Sequence, residues 1–150
     1  HTRVWDFLIA YLYFKSIGGD GLCMGKKEMF FPPLGWILKA MGGVPVDRSN
    51  SGELVRSLIR RMNESETFHL AIAPEGTRKA TRKWKTGYHL IAKAVGCPCY
   101  MGYFDWGRKR VSVGEKVELT DDARADTERI QALYEQMHLQ GKHPEGFVTH

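Results

Sequence analysis

The sequence contains few cysteines and no long apolar segment. Cysteine occurs three times in 150 residues, and two of the three, Cys97 and Cys99, lie in the stretch GCPCY. Three cysteines cannot form the disulfide framework of a small secreted domain, so a reducing compartment fits best. No apolar run approaches the about 20 residues that a membrane-spanning helix needs, and no signal peptide is visible. The histidines downstream of His1 show no metal-ligand spacing, so no metal site is predicted.

Charge and length limit the kinds of partner and the number of domains that the chain can have. The formal net charge of +5 suggests an anionic partner: a phosphate group, an acidic carrier protein, a membrane surface or a nucleic acid. Acidic residues are mixed among the basic ones and no recognition motif occurs, which argues against nucleic acid. We predict one domain over residues 1–150 with an irregular tail over 141–150. Because the sequence begins at His1 without a methionine, we expect its N-terminus to be truncated.

Helical periodicity alternates with short apolar strands along the chain. Helices are expected over about 6–17, ending at 42–43, over 51–64, about 84–95 and about 121–139, the last capped by Thr120. Strands are expected at LCMG, VPV, FHLAIA, CPCYMGYFD and RVSV. This alternation predicts an α/β fold, a single domain with a mostly parallel or mixed β-sheet covered by helices and an antiparallel strand near the C-terminus.

Several polar residues follow the expected strands directly. In open α/β sheets, ligands bind at the carboxyl ends of the strands. The residues that come just after a real or implied strand are His1, Lys26, Asp47, Arg48 and residues 75–78. We therefore expect them to converge on one site.

The opening stretch HTRVWD can form a histidine base. If His1 lies in the turn before the first helix and Asp6 in its first turn, the carboxylate can hold one imidazole nitrogen and leave the other free. Thr2 is the expected N-cap of that helix. A capped helix with a nearby histidine is also common in proteins, so this stretch taken alone leaves both interpretations open.

The stretch APEGTR has the chemistry of an anion-binding turn. Gly76 permits conformations that side chains forbid, and it brings backbone amides close to a ligand. Arg78 supplies a planar fork suited to a phosphate, and Arg48 offers a second one. Glu75 can pair with either arginine or accept a hydrogen bond from a substrate hydroxyl. A surface turn with an exposed salt bridge is the plain alternative.

Four stretches together resemble the motif blocks of the glycerolipid and lysophospholipid acyltransferases, the family that includes 1-acylglycerol-3-phosphate acyltransferase. They are HTRVWD, GGVPVDR, APEGTR and GCPCY, in the family's order and at roughly its spacing. The first matches the family's HX4D motif, and the resemblance runs from His1 to about Tyr103. Two positions depart from the family pattern: Arg3 stands where a small hydroxyl residue is common, and Met101 replaces a proline. These departures bear on the identity of the acceptor.

The resemblance implies a fold like that of glycerol-3-phosphate acyltransferase and the transfer of a fatty acyl group to a hydroxyl. The donor would be acyl-CoA or acyl-acyl carrier protein, and the acceptor a lysophospholipid such as 1-acylglycerol 3-phosphate. Glycerol 3-phosphate and a non-phosphorus lyso-lipid such as an acylated amino acid are the alternative acceptors. His1 would be the general base and Asp6 would orient it. The implied acceptor-binding residues are Lys26, Arg48, Glu75, Gly76, Thr77 and Arg78. No metal, cofactor or prosthetic group is implied.

Such an enzyme would meet its lipid at a membrane. The stretch MFFPPLGWIL lies between Lys27 and Lys39 and suits interfacial insertion through Phe30, Phe31 and Trp36, although a core or an acyl tunnel would explain it equally. We expect a cytoplasmic protein, peripheral to the inner face of the membrane. Two functions of another class remain open: a phosphoester hydrolase, and a catalytically silent lipid-binding protein.

Overall fold

A computed structural model describes residues 4–19, 21–46, 50–77 and 81–140, with the backbone alone for residues 4–7, 23 and 26. The described chain divides into two compact units, one over Val4–Ile72 and one from Ala73 onward. The first unit contains α1 (Val4–Ser16), β1 (Gly21–Lys26), a short 3-10 helix (Lys27–Met29), α2 (Leu34–Ala40), β2 (Gly43–Val46), α3 (Ser51–Asn63) and β3 (His69–Ala71). The second contains α4 (Gly87–Val95), β4 (Cys99–Asp105), β5 (Arg110–Val117) and α5 (Ala123–Gln136).

The first unit is built on a parallel sheet with the strand order β2-β1-β3. Lys26 at the end of β1 pairs with Val46 at the end of β2, and Cys23 pairs with Ala71 at the end of β3. Helices connect these strands, as parallel pairing requires. The predicted α/β class is therefore confirmed. The expected strands at LCMG and VPV are present and slightly longer, and the one at FHLAIA is present but shorter.

Helix α3 shows why this part of the chain was predictable. Asn50 caps it by accepting a hydrogen bond from the Glu53 N–H, and the Glu53 carboxylate accepts one from the Asn50 side chain at 2.5 Å. The two bonds are reciprocal, as in a capping box, although the carboxylate accepts from the Asn50 side chain and not from its backbone N–H. On the inner face, Leu58 and Met62 are buried at helical spacing.

Close backbone approach shapes the packing around α2. The ring of Phe30 fits between two glycines of neighbouring strands: a Cβ at Gly25 would stand 3.2 Å from it, and one at Gly43 2.9 Å. A Cβ at Gly35 would collide with the Phe30 backbone. Phe30 is half-buried and packs on the sheet, which agrees with the core alternative for this residue.

The second unit has its own antiparallel sheet, in which β4 pairs with β5. Within the described residues these two strands do not join the parallel sheet, so the antiparallel part is a separate pair rather than an added strand. Its core consists of Met101, Val117 and Ile130. Around this core, Trp84 and Tyr134 meet edge to face at 5.7 Å, and the Tyr134 hydroxyl donates to the Gly102 carbonyl at 2.7 Å.

Several helix boundaries differ from the sequence expectation. Helix α1 begins at Val4 rather than at about 6, α2 ends at Ala40 rather than at 42–43, and α5 covers Ala123–Gln136 rather than about 121–139. Helix α4 begins at Gly87 rather than near Trp84. Thr120 does not cap α5; Asp122 does so by accepting hydrogen bonds from the Arg124 and Ala125 N–H groups. Thr120 instead donates its N–H and its hydroxyl to Asp126. Thr120 therefore hydrogen-bonds to Asp126 instead of capping the helix.

No helix in the described part of the chain is long and apolar enough to cross a membrane. The predicted extent of the domain, residues 1–150, stays a prediction, and the tail over 141–150 lies outside the described residues.

Candidate active site

The structure places only the backbone of one member of the predicted His1–Asp6 pair. Asp6 is the third residue of α1, in the first turn, where the positive end of a helix favours a carboxylate. His1 and the expected cap Thr2 lie outside the described residues. The pairing of the imidazole with the carboxylate therefore stays a prediction.

The sheet of the first unit places Lys26 at its carboxyl edge. Lys26 is the last residue of β1 and stands in register with Val46, the last residue of β2. Arg48 follows Val46 by two residues and itself lies outside the described residues. Since β1 and β2 are parallel and adjacent, Lys26 and Val46 lie next to each other at the carboxyl edge of the sheet, where ligands bind in such folds.

The APEGTR stretch forms a tight turn at the start of the second unit. The Gly76 N–H donates to the Ala73 carbonyl at 3.1 Å, three residues back, which is the hydrogen bond of a β-turn. Gly76 has a φ of 63°, in the left-handed region where glycine carries no steric cost. Its neighbours Glu75 and Thr77 are half-buried, and Arg78 lies outside the described residues.

A lysine that the motifs did not single out reaches this turn. The Lys85 N–H donates to the Pro74 carbonyl at 2.8 Å. The Lys85 side chain runs along Gly76: a Cβ at Gly76 would stand 3.1 Å from its Cδ and Cε atoms and 3.5 Å from its Nζ. Lys85 is exposed, and none of the ion pairs between described residues involves it. An ammonium group is thus held beside the glycine of the turn.

Tyr134 interacts electrostatically with Glu75 of this turn. Burial raises the pKa of its phenol well above the ordinary value, and Cys99 and Glu75, when ionised, raise it further. A phenol with a raised pKa stays protonated at neutral pH, so Tyr134 serves as a hydrogen-bond donor to Gly102 and not as a base.

A second histidine–aspartate pair exists in the second unit, between His89 and Asp126. The His89 Nε2 lies 3.1 Å from Asp126 Oδ2 and 3.1 Å from the Thr120 carbonyl oxygen. A carbonyl can only accept, so Nε2 carries the proton and donates to both oxygens. Both side chains are buried. The pair therefore ties α4 to α5 and to the loop before α5.

Asp126 is the centre of that cluster. Burial raises the pKa of its carboxyl group, but hydrogen bonds from Arg129, Thr120 and His89 outweigh the burial and hold the pKa below its ordinary value. The cavity beside His89, about 400 Å³, is lined by Thr86, His89, Leu90, Lys93, Asp121 and Ala123. None of these is a residue of the predicted site.

The described residues contain no cluster of three or more histidine, cysteine or acidic side chains that could hold a metal ion. Sequence reasoning missed Lys85 because it lies seven residues beyond Arg78, outside every motif block. Only the fold of the turn brings it back to Gly76. Lysine in a polar stretch otherwise carries no signal of its own.

Comparison with protein families identifies the class. A family model described as Acyltransferase matches residues 1–101, a span that contains all four of the stretches HTRVWD, GGVPVDR, APEGTR and GCPCY. The match covers more than half of the 150 residues, and the chain belongs to the acyltransferase family. This membership supports general acyltransferase activity. A search of curated proteins and a search of solved structures found no match.

Proposed function

We propose that this chain transfers a fatty acyl group from acyl-CoA or acyl-acyl carrier protein to the hydroxyl of a lysophospholipid such as 1-acylglycerol 3-phosphate. The observation that carries the proposal is the family match over residues 1–101, since it contains the four blocks in order. The reaction takes place at the cytoplasmic face of a membrane, where both the acyl chain and the lyso-lipid partition.

His1 acts as the general base. It takes the proton of the acceptor hydroxyl as that oxygen attacks the thioester carbonyl carbon. Collapse of the tetrahedral intermediate breaks the carbon–sulfur bond, and the thiolate leaves with the proton returned by His1. Asp6 fixes the imidazole tautomer and stabilises the imidazolium. The position of Asp6 in the first turn of α1 supports this role, because a residue there can face a histidine in the preceding turn.

Cations hold the phosphate of the acceptor. Lys26, Arg48 and Arg78 are the proposed ligands from the motif blocks, with Gly76 and its neighbours Glu75 and Thr77 shaping the turn. To these we add Lys85, whose ammonium lies beside Gly76. Arginine binds phosphate as a bidentate fork and lysine as a point charge, so the two kinds of residue complement each other.

Lys85 has a direct test. We expect Lys85→Met to raise the KM for 1-acylglycerol 3-phosphate about tenfold, the loss of one charge-assisted hydrogen bond, with little change in kcat. With monoacylglycerol, which lacks the phosphate, the KM of Lys85→Met should equal that of wild type. Lys83→Met is the matched control, since Lys83 is equally exposed and two residues away. An unchanged KM in Lys85→Met would remove Lys85 from the acceptor site.

The acceptor is tested with the full-length protein. Palmitoyl-CoA and palmitoyl-acyl carrier protein are each combined with 1-acylglycerol 3-phosphate, glycerol 3-phosphate and an acylated amino acid, and thiol release and lipid product are followed together. We expect product with the first acceptor. Product only with another acceptor would keep the chemistry and change the substrate. Phosphate release without acyl transfer would point to a hydrolase, and no turnover with any pair to a silent lipid-binding protein.

A further inference from the structure

Helix α2 carries its largest apolar side chains on the outside. Trp36 is 70% exposed and Ile37 is 55% exposed, and Phe31, just before the helix, is 57% exposed. Folded monomers scatter single apolar residues over their surfaces, but three large ones within seven residues form a patch that calls for a partner.

Packing fixes which side of the helix faces outward. At 100° per residue, the buried Gly35 and Leu38 lie on one side, and Trp36, Ile37 and Ala40 lie on the opposite side. The inner side cannot rotate away, because Gly35 contacts the Phe30 backbone and Leu38 is only 3% exposed. The apolar outer side is therefore a property of the fold and not of one side-chain rotamer.

Basic residues border this patch. Lys39 is exposed and stands about 60° around the helix from Trp36, and Lys27 is exposed in the 3-10 helix before it. An apolar helix face with lysines at its edge is the pattern of a segment that lies in a membrane interface, with aromatic and aliphatic groups among the acyl chains and ammonium groups at anionic headgroups.

We propose that Phe31, Trp36, Ile37 and Lys39, here called the α2 docking face, seat the protein on a bilayer that contains anionic lipid. This inference rests on the proposed function, because a chain that acylates lyso-lipids must reach them at a bilayer. It deepens that function by assigning the contact to one helix face and by separating Phe31, which takes part, from Phe30, which packs on the sheet.

The test is co-sedimentation with vesicles of phosphatidylcholine mixed with phosphatidylglycerol, and with vesicles of phosphatidylcholine alone. The triple variant Phe31→Ser, Trp36→Ser, Ile37→Ser should bind the mixed vesicles at least about tenfold more weakly than wild type, since three apolar groups no longer partition. Lys39→Glu should weaken binding to the mixed vesicles and leave binding to phosphatidylcholine unchanged. The matched control is Leu90→Ser, Tyr100→Ser, two residues 58% and 52% exposed in the second unit, which should bind like wild type.

Wild-type binding by the folded triple variant, or an equal loss in the control, would overturn the proposal. A second measurement does not depend on the triple variant: brominated phosphatidylcholine should quench wild-type fluorescence more than that of Trp36→Phe, and equal quenching would count against the docking face. If ultracentrifugation shows that wild type self-associates and the triple variant does not, while both bind vesicles equally, the face joins two copies instead. Vesicle binding is read without turnover, so failed acyl transfer with intact binding would contradict the proposed function alone.

Discussion

Removing the Asp126 carboxylate is expected to destabilise the second unit. Its side chain is 2% exposed and accepts hydrogen bonds from the Thr120 N–H at 2.6 Å, the Thr120 hydroxyl at 3.2 Å, His89 at 3.1 Å and Arg129 at 2.9 Å. In Asp126→Ala, the buried Nε2–H of His89 loses one of its two acceptors, and the Thr120 N–H loses the carboxylate to which it donates.

The magnitude follows from burial. Leaving a buried hydrogen-bond donor unsatisfied costs about 1–3 kcal/mol, so the loss for the Thr120 and His89 donors together is about 3–5 kcal/mol. For a chain of this size that loss lowers the melting temperature by about 10 °C. Since small proteins are stable by about 5–15 kcal/mol, we expect the variant to fold at low temperature. Equilibrium unfolding in urea, followed by circular dichroism, measures the change.

Asp121→Ala is the matched control. Asp121 lies five residues away and pairs with Lys93 at 2.8 Å, but its side chain is 98% exposed, so solvent screens the pair. The urea midpoint of this variant should stay close to that of wild type. If Asp126→Ala also leaves the midpoint unchanged, or if both variants fall equally, the cluster around Asp126 does not stabilise the second unit as argued.

Three further predictions concern stability. Because folding lowers the pKa of Asp126, its contribution to the free energy of unfolding is complete above its unfolded pKa of about 3.9 and is lost as the pH falls through the lower folded value. Urea midpoints between neutral pH and pH 3 should therefore fall more steeply for wild type than for Asp126→Ala. Parallel curves would refute this. Leu58→Ala should cost about 2–5 kcal/mol in urea unfolding, since Leu58 is 1% exposed, whereas the exposed Arg56→Ala should cost little. Gly76→Ala should cost about 1–2 kcal/mol, because φ there is positive, and an unchanged midpoint would mean that the turn relaxes.

Local signals made much of the fold predictable from the sequence. The capping residues and the apolar spacing of α3 lie within one stretch of chain, and the observed helix, Ser51–Asn63, agrees with the expectation to one residue. The end of α4 was equally local, because Gly96 adopts a left-handed conformation with φ of 71° after the last apolar turn.

Features that depend on distant partners could not be predicted in this way. Thr120 looked like a helix cap, but Asp126, six residues on, recruits it. Phe30 and Phe31 are adjacent residues of the same type, so the sequence does not distinguish them. Only the ring of Phe30 packs on the sheet, against Gly25 and Gly43 of two strands. Lys85 gains its place at Gly76 only through the hydrogen bond that its backbone donates to Pro74.

The most direct test of the account is acyl transfer by His1→Ala in the full-length protein, with palmitoyl-CoA and 1-acylglycerol 3-phosphate, beside wild type and His138→Ala. His138 is exposed and follows the family match, so its loss should leave the rate unchanged. The general-base role predicts that His1→Ala, folded by circular dichroism, is slower by about 100-fold or more. A His1→Ala rate close to that of wild type would contradict the proposed mechanism.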